Sequence, residues 1–137
     1  MSASSTPTDR DALRRGIANL DDQHAQIASL AREAEYLARA GYTPALHRLL
    51  NELSLRLKEH FDDEEALLEA LDYEQLAHHS EAHLALIENL AELLMGVTRG
   101  AVAALDVQRF ISSQLTAHFL SGDAAVDSFF QRVLHHT

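Results

Sequence analysis

Cysteine is absent from this chain of 137 residues. Its absence excludes disulfides, thiolate catalysis and every cysteine-ligated zinc or iron–sulfur site. Glycine and proline are scarce, five and two respectively, so the residues that punctuate strand-and-turn folds are few, and strand signals are missing. No apolar run approaches the roughly 18 residues needed to cross a bilayer, and the opening Met1-Ser-Ala-Ser-Ser-Thr-Pro-Thr lacks the apolar core of a secretory signal. The expected location is the cytoplasm, with no membrane partner. Positive charge is also short. Eleven Lys and Arg face 21 Asp and Glu, for a formal net charge of −10, and no basic stripe could track phosphates, which argues against nucleic acid as a partner.

What remains is 47% hydrophobic and rich in Ala, Leu, Glu and Arg, long enough for one all-helical domain with its own core. We expect a flexible segment over 1–12 and a single domain over 13–137. Nine histidines in so short a chain are the compositional oddity.

The periodicity predicts four long helices and a short tail helix. Asp11 to Ile17 reads as a turn or short helix, and the first long helix as Leu20 to Ala40, with Asn19 or Asp21 as N-cap and Gly41 as its stop. Its inner face carries Leu20, His24, Ile27, Ala31, Ala34 and Leu37. Thr43-Pro44 starts the second helix, whose seam runs Leu46, Leu50, Leu53, Leu57, His60, Glu64, Leu67, Leu71. His47 falls off that seam and is expected at the surface; Asp62, Asp63 and Glu65 point away from it and read as a solvated acidic face. Asp72 with Gln75 makes a capping box for a third helix, running to about Met95 before a break at Gly96 to Gly100, with the seam Leu76, His79, His83, Leu86, Leu90, Leu93. His78 lies about 100° from that seam and reads as exposed. Ser80 follows His79 where a zinc-protease helix would have Glu, so that signature is absent. The fourth helix, Ala104 to Leu120, buries Val107, Ile111, Leu115 and His118. Asp123 follows His118 by five residues, too far round an ideal turn, so the helix is expected to end or bulge near Ser121-Gly122 and bring Asp123 back. Val126, Phe129, Phe130 and Val133 define the tail helix, with His135 and His136 solvated.

Short connections favour an up-down-up-down antiparallel four-helix bundle with a short C-terminal helical extension. A lone core histidine is ordinarily a satisfied polar group. Here, however, His24, His60, His79, His83 and His118 all face inward with Glu64 and, given the bulge, Asp123. Neutral imidazoles cannot satisfy one another at such density without a cation to coordinate.

These motifs resemble the hemerythrin family, in particular its single-domain bacterial members. The similarity spans Gly16-Ile17, Asp21-Asp22-Gln23-His24, His60-Phe61-Asp62-Asp63-Glu64-Glu65, His79 with His83, and His118-Phe119-Leu120-Ser121-Gly122-Asp123. It implies a non-haem di-iron centre, oxo- or hydroxo-bridged. His79, His83 and His118 would ligate one iron and His24 and His60 the other, with Glu64 and Asp123 bridging. Five imidazoles, two bridging carboxylates and one bridging oxygen leave one octahedral position empty, on the iron with two histidines, where O₂ or another small diatomic can bind. The resemblance puts Ile27 or Ala28, Phe61, Leu115 and Phe119 around that position. A tryptophan is common in the family where this chain has Gln114, and another near the N-terminus, but Trp is absent here; the pocket is expected to be wetter and the oxygenated form to autoxidise faster. The implied function is reversible O₂ binding for transport, storage or scavenging, without turnover. The alternatives are a peroxide or nitric oxide reductase on the same scaffold, or a sensor acting through a separate redox or signalling partner.

Overall fold

The computed structural model describes residues 10–98, 104–119 and 123–135, and of residues 97, 98, 104 and 123 the backbone only. Among the described residues there are five helices and no strand: α1 (Arg10–Ala38), α2 (Pro44–Ala70), α3 (Leu76–Thr98), α4 (Ala104–Arg109, continuing as a π-helical stretch over Phe110–Leu115) and α5 (Asp123–His135). Helix α1 packs on α2, α2 on α3, α3 on the π-helical stretch, and α4 back on α1, so the packing closes on itself as in a helical bundle; α5 also lies against α1. Among the described residues, no helix is long and apolar enough to cross a membrane.

The first helix is longer than its sequence pattern suggests. It is continuous from Arg10, so Asp11 to Ile17 is not a separate turn, and Asn19 and Asp21, expected as N-caps, lie in its interior. Gly16 does not interrupt it. A Cβ at that position would stand 3.3 Å from Leu67 Cδ2, so the missing side chain lets α1 and α2 approach closely. Past the end of α1, Gly41 takes φ 89° and its N–H reaches the Ala38 carbonyl at 3.0 Å.

Helix α2 begins as its sequence dictates. Thr43 is extended (φ −141°, ψ 159°), its hydroxyl accepts from the Leu46 N–H at 3.1 Å, and Pro44 occupies the first turn. Its far end corrects the predicted capping box. Asp72 sits at φ 56°, the Tyr73 N–H reaches back to the Leu68 carbonyl (3.0 Å), and the Asp72 N–H reaches the Glu69 carbonyl (3.1 Å). That is a Schellman turn with Asp in the left-handed position, and Asp72 therefore closes α2 rather than opening α3. Helix α3 opens at Gln75, whose carbonyl accepts from the His79 N–H at 2.9 Å, and it passes through Gly96 to Thr98. The remainder of the expected Gly96 to Gly100 break lies outside the described residues.

Two apolar clusters form the core. The larger joins Ile27, Ala31, Ala34, Leu46, Leu50, Leu53, Leu57, Phe61, Leu86, Leu90, Val107, Phe110, Ile111 and Leu115, among others. The smaller joins Leu20, Leu68, Val126 and Phe130, with Ile17, Leu67, Tyr73 and Phe129 packed against it. Leu68, fully buried, takes the seam position expected of Leu67, which is only partly buried. The reason is the 3.6-residue turn: after Glu64 a step of four lands on the face that meets α5 and α1. Phe110, three residues after the buried Val107, is buried beside Ile111 at the start of the π-helical stretch.

Candidate metal centre

Between the two apolar clusters lies a polar layer. His60, Glu64, His79 and His83 are buried at 2–6% exposure, whereas His24 and His118 are half-buried. Helical spacing puts His60 and Glu64 one turn apart on α2, and His79 and His83 one turn apart on α3. Glu64 extends across the gap. Its Oε1 accepts from His79 Nε2 at 2.5 Å and lies 3.3 Å from His83 Nε2, while its Oε2 lies 3.8 Å from His60 Nε2. The nitrogens of His79, His83 and His118 fall within 4.8 Å of one another, close enough for a single ion to hold all three. His24 stands apart from that group, its ring 6.1 Å from His60 and 4.1 Å from Phe119. The predicted break at Ser121-Gly122 and the side chain of Asp123 lie outside the described residues.

The outer nitrogens fix the tautomers. His83 Nδ1 lies 2.7 Å from Glu65 Oε2, and a carboxylate only accepts, so Nδ1 carries the proton. At His60 the argument takes one more step. The amide nitrogen of Gln23 donates to Asp63 Oδ2 at 2.6 Å, which turns the Gln23 carbonyl oxygen to His60 Nδ1 at 3.0 Å, so here too Nδ1 is the donor. When neutral, both rings therefore point a bare Nε2 lone pair inward. Neither Nε2 has a hydrogen-bond partner, although both are buried and Glu64 is close by. Lone pairs facing a carboxylate repel unless a cation lies between them, so this donor set fits a metal ion.

Electrostatics agree. Burial pushes His60 and His118 down to about 4, so both rings are neutral and ready to ligate near neutral pH. Burial would raise the Glu64 carboxyl, but the hydrogen bond from His79, the close approach of the His83 ring and the positive charge that His79 and His60 can carry outweigh it and hold Glu64 at about 2. On α5, burial raises Asp127, and the nearby charges of Asp21 and Glu64 raise it further.

Some expectations shift. Glu65 and Asp63, read from sequence as a solvated acidic face, engage His83 and Gln23, and Gln23 had no role assigned to it. Phe61 stacks on His83 (centroids 3.8 Å apart, planes within 4°) and stands 5.9 Å from His60, so it sits nearer the three-histidine group; Phe119 is the ring beside His24 and His60. Ile27 and Leu115 are buried in the adjoining core. Gln114 is exposed and its carbonyl accepts from Asn89 at 2.8 Å, beside a groove lined by Glu92, Arg109 and Phe110, so it does not join the other candidates. His47 is half-buried rather than exposed, whereas His78 and His135 are exposed.

Bacteriohemerythrins from three strains of Campylobacter jejuni subsp. jejuni, of serotypes O:6, O:2 and O:23/36, are each 29% identical to this chain over 77 residues, covering 56% of this chain and 58% of theirs. The chain thus spans little more than half the length of these curated relatives. No solved structure matches it. The hemerythrin HHE cation binding domain, in contrast, matches residues 15–136, a stretch that takes in every candidate ligand, and the chain belongs to the hemerythrin family.

Proposed function

We propose that this chain binds O₂ reversibly at a pair of non-haem irons, held in an up-down-up-down four-helix bundle that occupies residues 13–137. The observation that carries the reading is the pair of buried, unpartnered Nε2 atoms of His60 and His83 facing opposite oxygens of Glu64. His79, His83 and His118 would hold one iron and His24 and His60 the other. Glu64 would bridge them, with Asp123 as the second bridging carboxylate. A reduced iron with an open position supplies the affinity for a small diatomic ligand. The chain's own residues supply the rest. A histidine-rich donor set places little negative charge on the metals, which favours binding over oxidation of a substrate. Phe119, against His24, covers the position with two histidines and limits water there.

Metal analysis comes first: about two irons per chain are expected for a paired site of this kind, and one zinc or none would overturn the reading. The loaded protein, reduced without oxygen and then exposed to O₂, should show a visible absorption change that reverses on deoxygenation. Irreversible bleaching with turnover of added peroxide would assign the site to an enzyme instead.

A further inference from the structure

The two halves of the site are braced by outer partners of different charge. His83 donates to a carboxylate, Glu65, at 2.7 Å; His60 donates to a neutral carboxamide, Gln23, at 3.0 Å, and the negative charge behind it, on Asp63, is one further hydrogen bond away. We propose that Glu65 is a positioning residue whose charge on His83 makes the His79–His83–His118 position take its metal ahead of, and more tightly than, the His24–His60 position. The inference rests on the reading of this site as a two-metal centre.

Three observations support it. A carboxylate on the outer N–H of an imidazole strengthens the inner nitrogen as a donor more than an amide oxygen does, because the hydrogen bond is charge-assisted. Glu65 is about a third exposed, at 31%, and lines a cleft of about 310 Å³ between α2 and α3 with Phe61, Ser80 and His83, so its carboxyl group faces open space while it reaches the ring. The His83 ring is also held in place. Phe61 lies flat against it while Glu65 fixes its edge, and the three nitrogens already converge within 4.8 Å, so little ordering remains for the metal to impose. The His24 and His60 rings stand 6.1 Å apart with Phe119 against both, and the outer nitrogen of His60 rests on the neutral Gln23 carboxamide.

The test is a titration of the metal-free full chain with Co²⁺, followed by visible absorption and calorimetry. The parent should fill in two steps, the tighter one first. Glu65→Gln keeps an acceptor oxygen for His83 and removes the charge; the first step should weaken about 10–100-fold, the usual effect of losing an outer-shell partner, with the second step unchanged. Gln23→Leu should weaken the second step alone. Asp62→Asn removes a neighbouring exposed charge on the rim of the same cleft that pairs with Lys58, at 3.8 Å, and should move neither step. Helix content of each metal-free variant, read by circular dichroism, should match the parent. An unaltered first step in Glu65→Gln, or an equal loss in Asp62→Asn, would overturn the proposal while leaving the two-metal site standing. A parent chain that binds no pair of metals would overturn the site reading itself.

Discussion

Glu64 Oε1 lies 2.5 Å from His79 Nε2, joining α2 to α3 across fifteen residues of sequence, and its other oxygen faces His60. One carboxylate is thus shared between two groups of imidazoles. Glu64→Ala should leave the helices in place, judged by circular dichroism, and reduce bound metal from a pair to at most a single ion at the three-histidine group. Retention of the full metal complement would remove Glu64 from the site. Glu65→Ala does not serve as a silent control, since Glu65 engages His83; an exposed acid such as Asp62 does.

Acid should destabilise the metal-free protein. His60 and His118 titrate near 4 when folded and near 6.5 when unfolded, because burial disfavours their charged forms. Between those values the unfolded chain binds more protons, so stability is fully present above about pH 6.5 and falls as pH drops toward 4. Glu64 adds a second loss at lower pH: its carboxyl is held near 2, below its ordinary 4.5, so its contribution declines as pH falls from 4.5 toward 2. Urea unfolding from about pH 7 to about pH 4 should lose a few kcal/mol. A profile flat across that range would contradict the burial of these rings.

Gly16 and Leu67 set the spacing of α1 and α2. A methyl at residue 16 would meet only the flexible end of Leu67, at 3.3 Å, so Gly16→Ala should be neutral or stabilising by up to about 1 kcal/mol, through its better helix propensity. Gly16→Leu cannot be absorbed in that way and should cost about 1–3 kcal/mol. Combining it with Leu67→Ala should recover part of the loss; a purely additive double variant would show that the two positions do not touch.

Asp72 occupies a backbone conformation, φ 56°, that glycine adopts freely and Asp tolerates. Asp72→Gly should change thermal stability by less than about 0.5 kcal/mol, whereas the β-branched Asp72→Val should lose about 1–2 kcal/mol. Equal behaviour of the two variants would mean that the turn re-forms differently.

The inner faces were legible because helical periodicity reports a face directly: Leu50, Leu53, Leu57, His60 and Glu64 are all buried as spaced. Periodicity does not report reach. Gln23, Asp63 and Glu65 sit at the edge of their stripes, and only the packing of neighbouring helices brings their polar ends to His60 and His83. The usable signal was chemical: each metal-facing imidazole needs an acceptor for its second nitrogen, and amide or acid residues flanking the motifs were the candidates. The capping pattern Asp72–Gln75 was ambiguous because Asp suits both a helix start and a left-handed stop. Nothing in Phe110-Ile111-Ser112-Ser113-Gln114-Leu115 announces a π turn, since neither Gly nor Pro marks it.

The polar layer also cuts the interior into two unequal lobes. On one side, four helices share a broad apolar cluster; on the other, Leu20, Leu68, Val126 and Phe130 form a small one that holds α5. Such a minor lobe is a natural unit of partial opening, and ions bound in the layer would rivet it to the major one. Backbone amides of α5 and of α1 around Leu20 would then exchange with solvent on a clock set by metal occupancy, while those around Leu50 and Leu90 would keep the slower time of the whole fold.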